Sequence, residues 1–456
     1  MAATPTPSVP NSVGTGAPKA GRYRWVICAI LFVATTINYI DRNVLSFTML
    51  DDPFRRVMLG LPEGTPLSPE HLAAFKEKMG HVDAAFKIAY ALGFVIAGWM
   101  IDKLGTRRGF SISITVWSIA AILHGFVKSV TGMVGARFAL GLGEAGNFPA
   151  SIKSVAEWFP RKERSFATGL FNAGANVGII LTAACVPLIV ATLGWRASFI
   201  ITGALGVIVL VVWLLAFYKP EEHPKVTQAE LAYIRSDGEE DSGRRVKWSQ
   251  LLPYRATWAF AIGKFLTDAV WWFYLTWLPS FFNDNAALST KLDLKTVGIP
   301  FIVIYLVSDG GSVFFGWLAT KFIGLGWSVN RARKVTMLIC ALCVVPIFFA
   351  SMTSSIVVAI ALISLATAAH QGWSANLFTT VSDMFPKRAV GSVTGIGGMM
   401  GGIGGALLAY FAGSIIAVSG YWPLFVFASV AYLLALVIVQ ILVPRLEPVK
   451  LADNPA

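Results

Sequence analysis

The residues best placed to do chemistry in this sequence are charged side chains inside long apolar runs. One run carries Asn38, Tyr39, Asp41, Arg42 and Asn43; another carries Arg137 and Glu144. Arg137 and Glu144 are seven residues apart, two helical turns, so they share a face. Two acids and two bases around one cavity suit an anion that travels with a proton. The bases attract a carboxylate, and an acid accepts the proton. If each run is a helix crossing a bilayer, Asp41 lies about 24 Å from the inner end of its span and Arg137 about 9 Å from the outer end of its own. In an apolar core of roughly 30 Å these depths nearly coincide. An Asp41–Arg137 pair with Glu144 below it is therefore expected. The competing reading is a structural ion pair that pins two helices.

Other runs add polar and aromatic groups. Asn172 and Asn176 fall one turn apart. Lys264, Asp268, Trp271, Trp272, Phe273, Tyr274 and Trp277 form a cluster, Tyr305 and Asp309 follow, and His370, Gln371, Trp373, Ser374 and Asn376 lie in a later run. Aromatic and amide groups suit a sugar, which offers an apolar face and many hydroxyls. Interfacial aromatics and helix–helix hydrogen bonds are the alternative. Of this set, Asn172, Asn176, Trp272, Tyr274, His370, Ser374 and Asn376 are the candidate substrate contacts.

The elements that must position these groups are membrane helices. Of the 456 residues 55% are hydrophobic and 14% charged, against about 25% charged in soluble domains. The runs are apolar all round rather than striped, as lipid-facing or fully buried helices are. Twelve spans are expected, near 25–47, 83–102, 109–128, 131–152, 166–190, 197–217, 256–282, 297–319, 335–352, 356–381, 391–416 and 421–443. The fold class is an all-α membrane protein in two six-helix halves, 22–217 and 256–444. A cytoplasmic linker, 218–255, joins them, and the tails are 1–21 and 445–456. Residues 1–21, rich in Pro, Gly and Ala, read as a disordered tail and not as a cleavable signal. In the outside loop 48–82, Ser68–Lys78 reads as a short amphipathic helix. In the linker, Thr227-Gln-Ala-Glu230 reads as a capping box.

Orientation follows from basic residues. With both termini in the cytoplasm, the inside segments carry a roughly threefold excess of Lys and Arg over the outside ones. That distribution also accounts for the net charge of +12 without nucleic acid as a partner. Cys340-Ala-Leu-Cys343 has the spacing of a metal or redox site, but within an apolar helix it lacks further ligands, so no metal is expected. Gly141-Leu-Gly-Glu-Ala-Gly146 fits the dinucleotide fingerprint, yet inside a span it reads as close helix packing. No metal triad, nucleophile–base pair or cofactor loop argues for an enzyme.

The chain repeats itself. Glu157-Trp-Phe-Pro-Arg-Lys matches Asp383-Met-Phe-Pro-Lys-Arg at an offset of 226, and the same offset pairs Gly169 with Gly395, Gly178 with Gly404 and Gly194 with Gly420. Both copies follow the fourth span of their half, so the repeat is parallel. In such an architecture the substrate site lies between the halves near the midplane. A second motif, Gly98-Trp-Met-Ile-Asp102-Lys-Leu-Gly105-Thr106-Arg107-Arg108, resembles the loop signature of the major facilitator superfamily, with Thr106 where Arg is usual. Asp102, Arg107, Arg108, Glu157 and Asp383 are candidates for a cytoplasmic conformational latch. The equivalent loop of the second half has Thr320 in place of the acid, so a weaker latch is expected there.

Together the strings Asn38-Tyr-Ile-Asp-Arg42, Arg137-Phe-Ala-Leu-Gly-Leu-Gly-Glu144-Ala-Gly-Asn-Phe-Pro149, Glu157-Trp-Phe-Pro160 and Pro220-Glu-Glu-His-Pro224 resemble the anion:cation symporter family of that superfamily. Ala369-His-Gln371, Ser374-Ala-Asn-Leu-Phe378 and Asp383-Met-Phe385 are most similar to its hexuronate transporters. The resemblance implies proton-coupled import of glucuronate or galacturonate at the inner membrane, with no cofactor beyond the proton and a single chain sufficing. It implies protonation at Asp41 and Glu144, and substrate contacts from Tyr39, Arg42 and Arg137. Ala175 stands where related galactonate carriers have Gln, which counts against galactonate. Another organic anion (an aldonate, a tartrate or a phthalate-like acid) is the runner-up. A drug or peptide exporter and a membrane enzyme or sensor are the further alternatives.

Overall fold

The computed structural model describes residues 21–236, 246, 248–449 and 451. Among them the only regular secondary structure is helical. The first half holds α1 (Tyr23–Thr48), α2 (Asp52–Leu59), α3 (Pro69–Leu104), α4 (Thr106–His124), α5 (Val130–Glu144), α6 (Asn147–Trp158), α7 (Arg161–Leu193) and α8 (Trp195–Ala216). The linker contributes α9 (Gln228–Ile234) and α10 (Trp248–Leu251). The second half holds α11 (Arg255–Asp284), α12 (Gly298–Gly324), α13 (Val329–Val344), α14 (Ile356–Met384), α15 (Lys387–Ser419) and α16 (Trp422–Leu442). The expected disordered tail lies outside the described residues apart from Gly21, as does much of the linker's middle.

By length and composition, nine of the described helices qualify to cross a membrane. Helices α4, α5 and α11 are not among them. Helix α5 is short, and α11 carries Lys264, Asp268 and several polar residues. The repeat holds to the residue: α7 and α15 are both 33 residues long and start 226 positions apart. Each follows a proline, Pro160 or Pro386, in extended backbone, and each ends at a glycine with positive φ, Gly194 at 82° and Gly420 at 72°. Proline cannot continue a helix backwards, and glycine turns the chain where a Cβ would be strained.

Three expectations change. Ser68–Lys78 is not a separate helix but the first turns of α3, capped by Ser68 and His71 and running 36 residues into the span. No breaker interrupts it, and its inner-facing residues pack on α15 rather than on water. The fourth span is broken at Ala145–Gly146 into α5 and α6. There a Cβ on Gly146 would stand 2.1 Å from the Ser113 hydroxyl oxygen, so the crossing with α4 requires glycine. At the linker cap, Thr227 accepts from the Glu230 amide at 3.2 Å, but the Glu230 carboxylate accepts instead from Arg24. A buried guanidinium is a stronger partner than an exposed amide.

Gly141 and Gly143 pack as expected: a Cβ on either would meet the backbone of α3 at Phe86 or of α4 at Trp117 within 2.6 Å. The halves meet along α3 and α15, α7 and α12, and α1 and α11. The close approaches lie toward one end of the bundle. Gly80 abuts the Ala409 carbonyl, Gly413 the Lys76 carbonyl and Gly298 the Ala183 carbonyl, and Ser46 donates to the Leu275 carbonyl at 2.9 Å. At the same end Lys76 pairs with Asp284 at 2.6 Å, and Arg55 of α2 donates to Asn283 at 3.2 Å. The long loop 48–82 is thus the element that clasps the second half.

Candidate functional site

Helix α1 presents Arg42 to the C-terminal end of α5. Its Nε donates to Glu144 Oε2 at 2.8 Å, and both side chains are buried. A second nitrogen reaches Asn38 Oδ1 at 3.3 Å. The guanidinium is lined by aromatic rings: Tyr39 at 4.4 Å, Tyr90 at 4.7 Å, Trp272 at 5.3 Å and Phe86 at 5.6 Å from its carbon. Trp272 comes from the second half and the others from the first, so the site is built across the seam. Such a cation–π setting holds a guanidinium flat and desolvated.

The expected Asp41–Arg137 pair does not form. Arg137 donates to the backbone carbonyl of Arg42 at 3.1 Å, while its Nε and Nη1 have no hydrogen-bond partner. Both Asp41 oxygens and Glu144 Oε1 likewise have none. Asp41 is turned toward Thr202 of α8 and feels the charges of Glu144 and Arg137 without bonding either. The ion pair at the heart of the site is Arg42–Glu144.

Buried donors and acceptors are ordinarily satisfied. Here two nitrogens of one arginine and three carboxylate oxygens, all buried, are not. They fit a small polar ligand that brings both acceptors and donors, as a hydroxylated carboxylate does.

Asp83, Phe86, Lys87 and Tyr90 on α3 join the cluster without having been among the expected site residues. Lys87 pairs with Asp83 at 2.5 Å, and both are almost fully buried. The signal was present as an Asp–Lys pair one turn apart inside an apolar run. In the second half, Lys264 pairs with Asp268 at 2.8 Å. His370 stacks on Trp271, centroids 4.6 Å apart and planes 4° apart, and shares a 2.6 Å hydrogen bond with the Tyr432 hydroxyl.

The remaining candidates are not drawn into this cluster. Asn376 donates to the Gly372 carbonyl of its own helix at 2.9 Å and lies against α12. Tyr274 is fully buried beside Phe273 in the second half. Ser374 and Asn176 are half-buried, and Asn172 is exposed. At the loops that join α3 to α4 and follow α6, Thr106 donates to Glu157 at 2.6 Å, so the departure from the loop signature has its own acceptor. Arg107 bonds the Leu214 carbonyl and lies over Tyr218, Arg108 is exposed, and Arg333 reaches Asp383 at 3.2 Å. Thr320 bonds its own helix at Gly316. The Asp102 side chain lies outside the described residues. These latch contacts stay within one half.

Three curated relatives align over nearly the whole chain. A D-galactonate transporter of Escherichia coli O6:H1 is 27% identical, covering 92% of this chain and 96% of that one. A hexuronate transporter of Escherichia coli K12 is 26% identical over 94% and 96%. A probable galactarate/D-glucarate transporter, GudP, of Bacillus subtilis 168 is 30% identical over 89% and 88%. Among solved structures, the inward open xylose transporter XylE from E. coli superposes with a TM-score of 0.70 at 16% identity, covering 92% of this chain and 97% of that one. A bacterial homolog of the lysosomal transporter Spinster, inward-facing, gives 0.68 at 17% over 93% and 97%. The family model described as Major Facilitator Superfamily matches residues 31–409. This chain is a multi-pass membrane transporter, not an enzyme, and it belongs to the major facilitator superfamily.

Proposed function

We propose that the chain is a twelve-span, proton-coupled symporter that imports a sugar acid, hexuronate foremost, by alternating access of its two halves. The observation that carries the reading is the Arg42–Glu144 pair beside an Arg137 with two unpartnered nitrogens, under aromatic rings from both halves. The named substrates of the three relatives are all sugar acids, which supports the substrate class. Hexuronate is preferred over galactonate because of Ala175 and the motifs of the tenth span.

The coupling follows from competition. A substrate carboxylate that takes the Arg42 fork displaces Glu144 from it. A carboxylate that loses its cation in a low-dielectric site gains a proton. Anion and proton then favour each other's binding, and the linkage is reciprocal. Asp41, without a base bonded to it, is the second proton acceptor. With both termini in the cytoplasm of a bacterial inner membrane, the end where the halves touch is the outer one, and the arrangement faces inward.

The test is purified protein against glucuronate, galacturonate, galactonate and glucarate in a thermal-shift assay, since a ligand of the folded state raises the melting temperature. Uptake of labelled glucuronate by proteoliposomes with an imposed proton gradient accompanies it. No shift from any sugar acid, together with no gradient-driven uptake, overturns the proposal.

A further inference from the structure

One face of α3 runs along the seam between the halves: Lys76, Gly80, Asp83, Lys87 and Tyr90, spaced by fours and threes. Helical residues at that spacing lie on one side. Lys76 and Gly80 close the outer end. Asp83 and Lys87 sit deeper, beside the Arg42–Glu144 pair. Two charges buried within a membrane bundle are costly, and such groups mark functional sites more often than structural ones.

The surroundings point to an anion. Lys87 Nζ stands 5.3 Å from the ring centre of Trp272, the same indole that stands 5.3 Å from the Arg42 guanidinium. The Phe86 ring next to it lies 5.2 Å from the Arg137 guanidinium and 5.6 Å from that of Arg42. Three cations therefore gather around two rings in a water-poor place, where like charges repel strongly. An ammonium has three donors. One goes to Asp83, and the described residues supply no acceptor for the other two. Arg137 beside it has two unpartnered nitrogens. Asp83 is the acid paired with Lys87.

We propose that Lys87 is a further substrate-binding residue: the sugar-acid carboxylate that takes the Arg42 fork also reaches Lys87 across the Trp272 ring the two cations share, with Arg137 beside them, and Asp83 is the counter-charge it displaces from Lys87. The inference rests on the sugar-acid reading above and adds a residue to its site. The carboxylate replaces one acid by another at Lys87, so the cation is never left bare. The displaced Asp83 stays within reach of the Lys87 ammonium and Arg137, so it orders the cations between cycles.

Two variants decide it: Asp83→Asn, and Asp83→Asn combined with Lys87→Gln. The combined variant removes the ion pair without leaving a lone buried charge. It is expected to keep the melting temperature of the ligand-free protein while the KM for the best-binding sugar acid of the four rises about tenfold or more. The ligand-induced thermal shift should disappear with it. Asp83→Asn keeps the ammonium and removes its competitor, so its Kd should fall several-fold. A combined variant with wild-type KM and thermal shift shows a helix pin and overturns the proposal. Should the combined variant fail to fold, Asp83→Asn alone decides, and unchanged or weaker binding overturns it. Wild-type protein that binds no sugar acid defeats the function itself, a result distinct from a wild type that binds while the variants bind equally well.

Discussion

Lys76→Met should open the outer end of the bundle. The Lys76–Asp284 pair is 2.6 Å long with each side chain 16% exposed, and it joins α3 of one half to α11 of the other. Exposed pairs contribute about 0.2–1 kcal/mol, and breaking a fully buried pair costs about 3–5 kcal/mol. A pair mostly but not wholly shielded falls between, at roughly 1–2 kcal/mol by the same comparison. The pair exists only when these ends of the halves touch, so on the proposed orientation its whole contribution enters the balance between inward- and outward-facing states. At about 1.4 kcal/mol per factor of ten, losing it raises the outward-facing fraction by about tenfold. Asp284 keeps its 2.8 Å hydrogen bond from the Tyr421 hydroxyl at Oδ1, but the buried Oδ2 that faced Lys76 is left without a partner, which adds to the drive to open. The assay is the distance distribution between spin labels at Lys128 and Ser354, at the outer ends of opposite halves, with the four native cysteines replaced. A longer-distance population should grow. Exchanging the charges, Lys76→Asp with Asp284→Lys, should return it toward wild type. Unchanged distributions in Lys76→Met would refute the clasp, because Arg55–Asn283 and the glycine contacts would then suffice alone.

Three further outcomes follow from the same geometry. Arg42→Lys and Arg137→Lys should each weaken sugar-acid binding by at least about tenfold while leaving expression intact, since an ammonium lacks the planar two-donor fork; isothermal titration with wild-type affinity in both would remove the anion site. Glu144→Gln should retain counterflow exchange yet lose accumulation driven by a proton gradient, and Asp41→Asn should lose accumulation too; if both still concentrate substrate, the coupling acid is elsewhere, with Asp83 and Asp268 next. Gly413→Leu should hold the seam apart, because a Cβ there would stand 2.1 Å from the Lys76 carbonyl oxygen; proteoliposome uptake should fall by an order of magnitude or more, and normal uptake would show that the seam does not need to close this tightly.

What the sequence showed, and what it hid, divides along helical geometry. Apolar length marks the spans because lipid requires it, and the offset of 226 survives to the last residue of α7 and α15 because both helices begin at a proline and end at a glycine. The charged residues of the site were legible as types, since charge inside a span is rare. Their pairing was not. A rise of 1.5 Å per residue fixes depth, but adjacent positions differ by about 100° in direction. Asp41 and Arg42 share a depth and face different helices, Thr202 on α8 for one and Glu144 on α5 for the other. Asp83 and Lys87 escaped notice for a related reason. An acid and a base one turn apart cancel in any count of charge, and the start of α3 was polar enough to be taken for loop. That polarity has a cause: the first turns of α3 pack on α15, and Lys76 reaches Asp284 at the end of α11, so they could carry Lys76 and Gly80 where a lipid-facing helix would carry leucine. The seam between the halves is thus the one surface of a membrane helix whose composition hydropathy cannot anticipate. It is also where the site and the clasp lie.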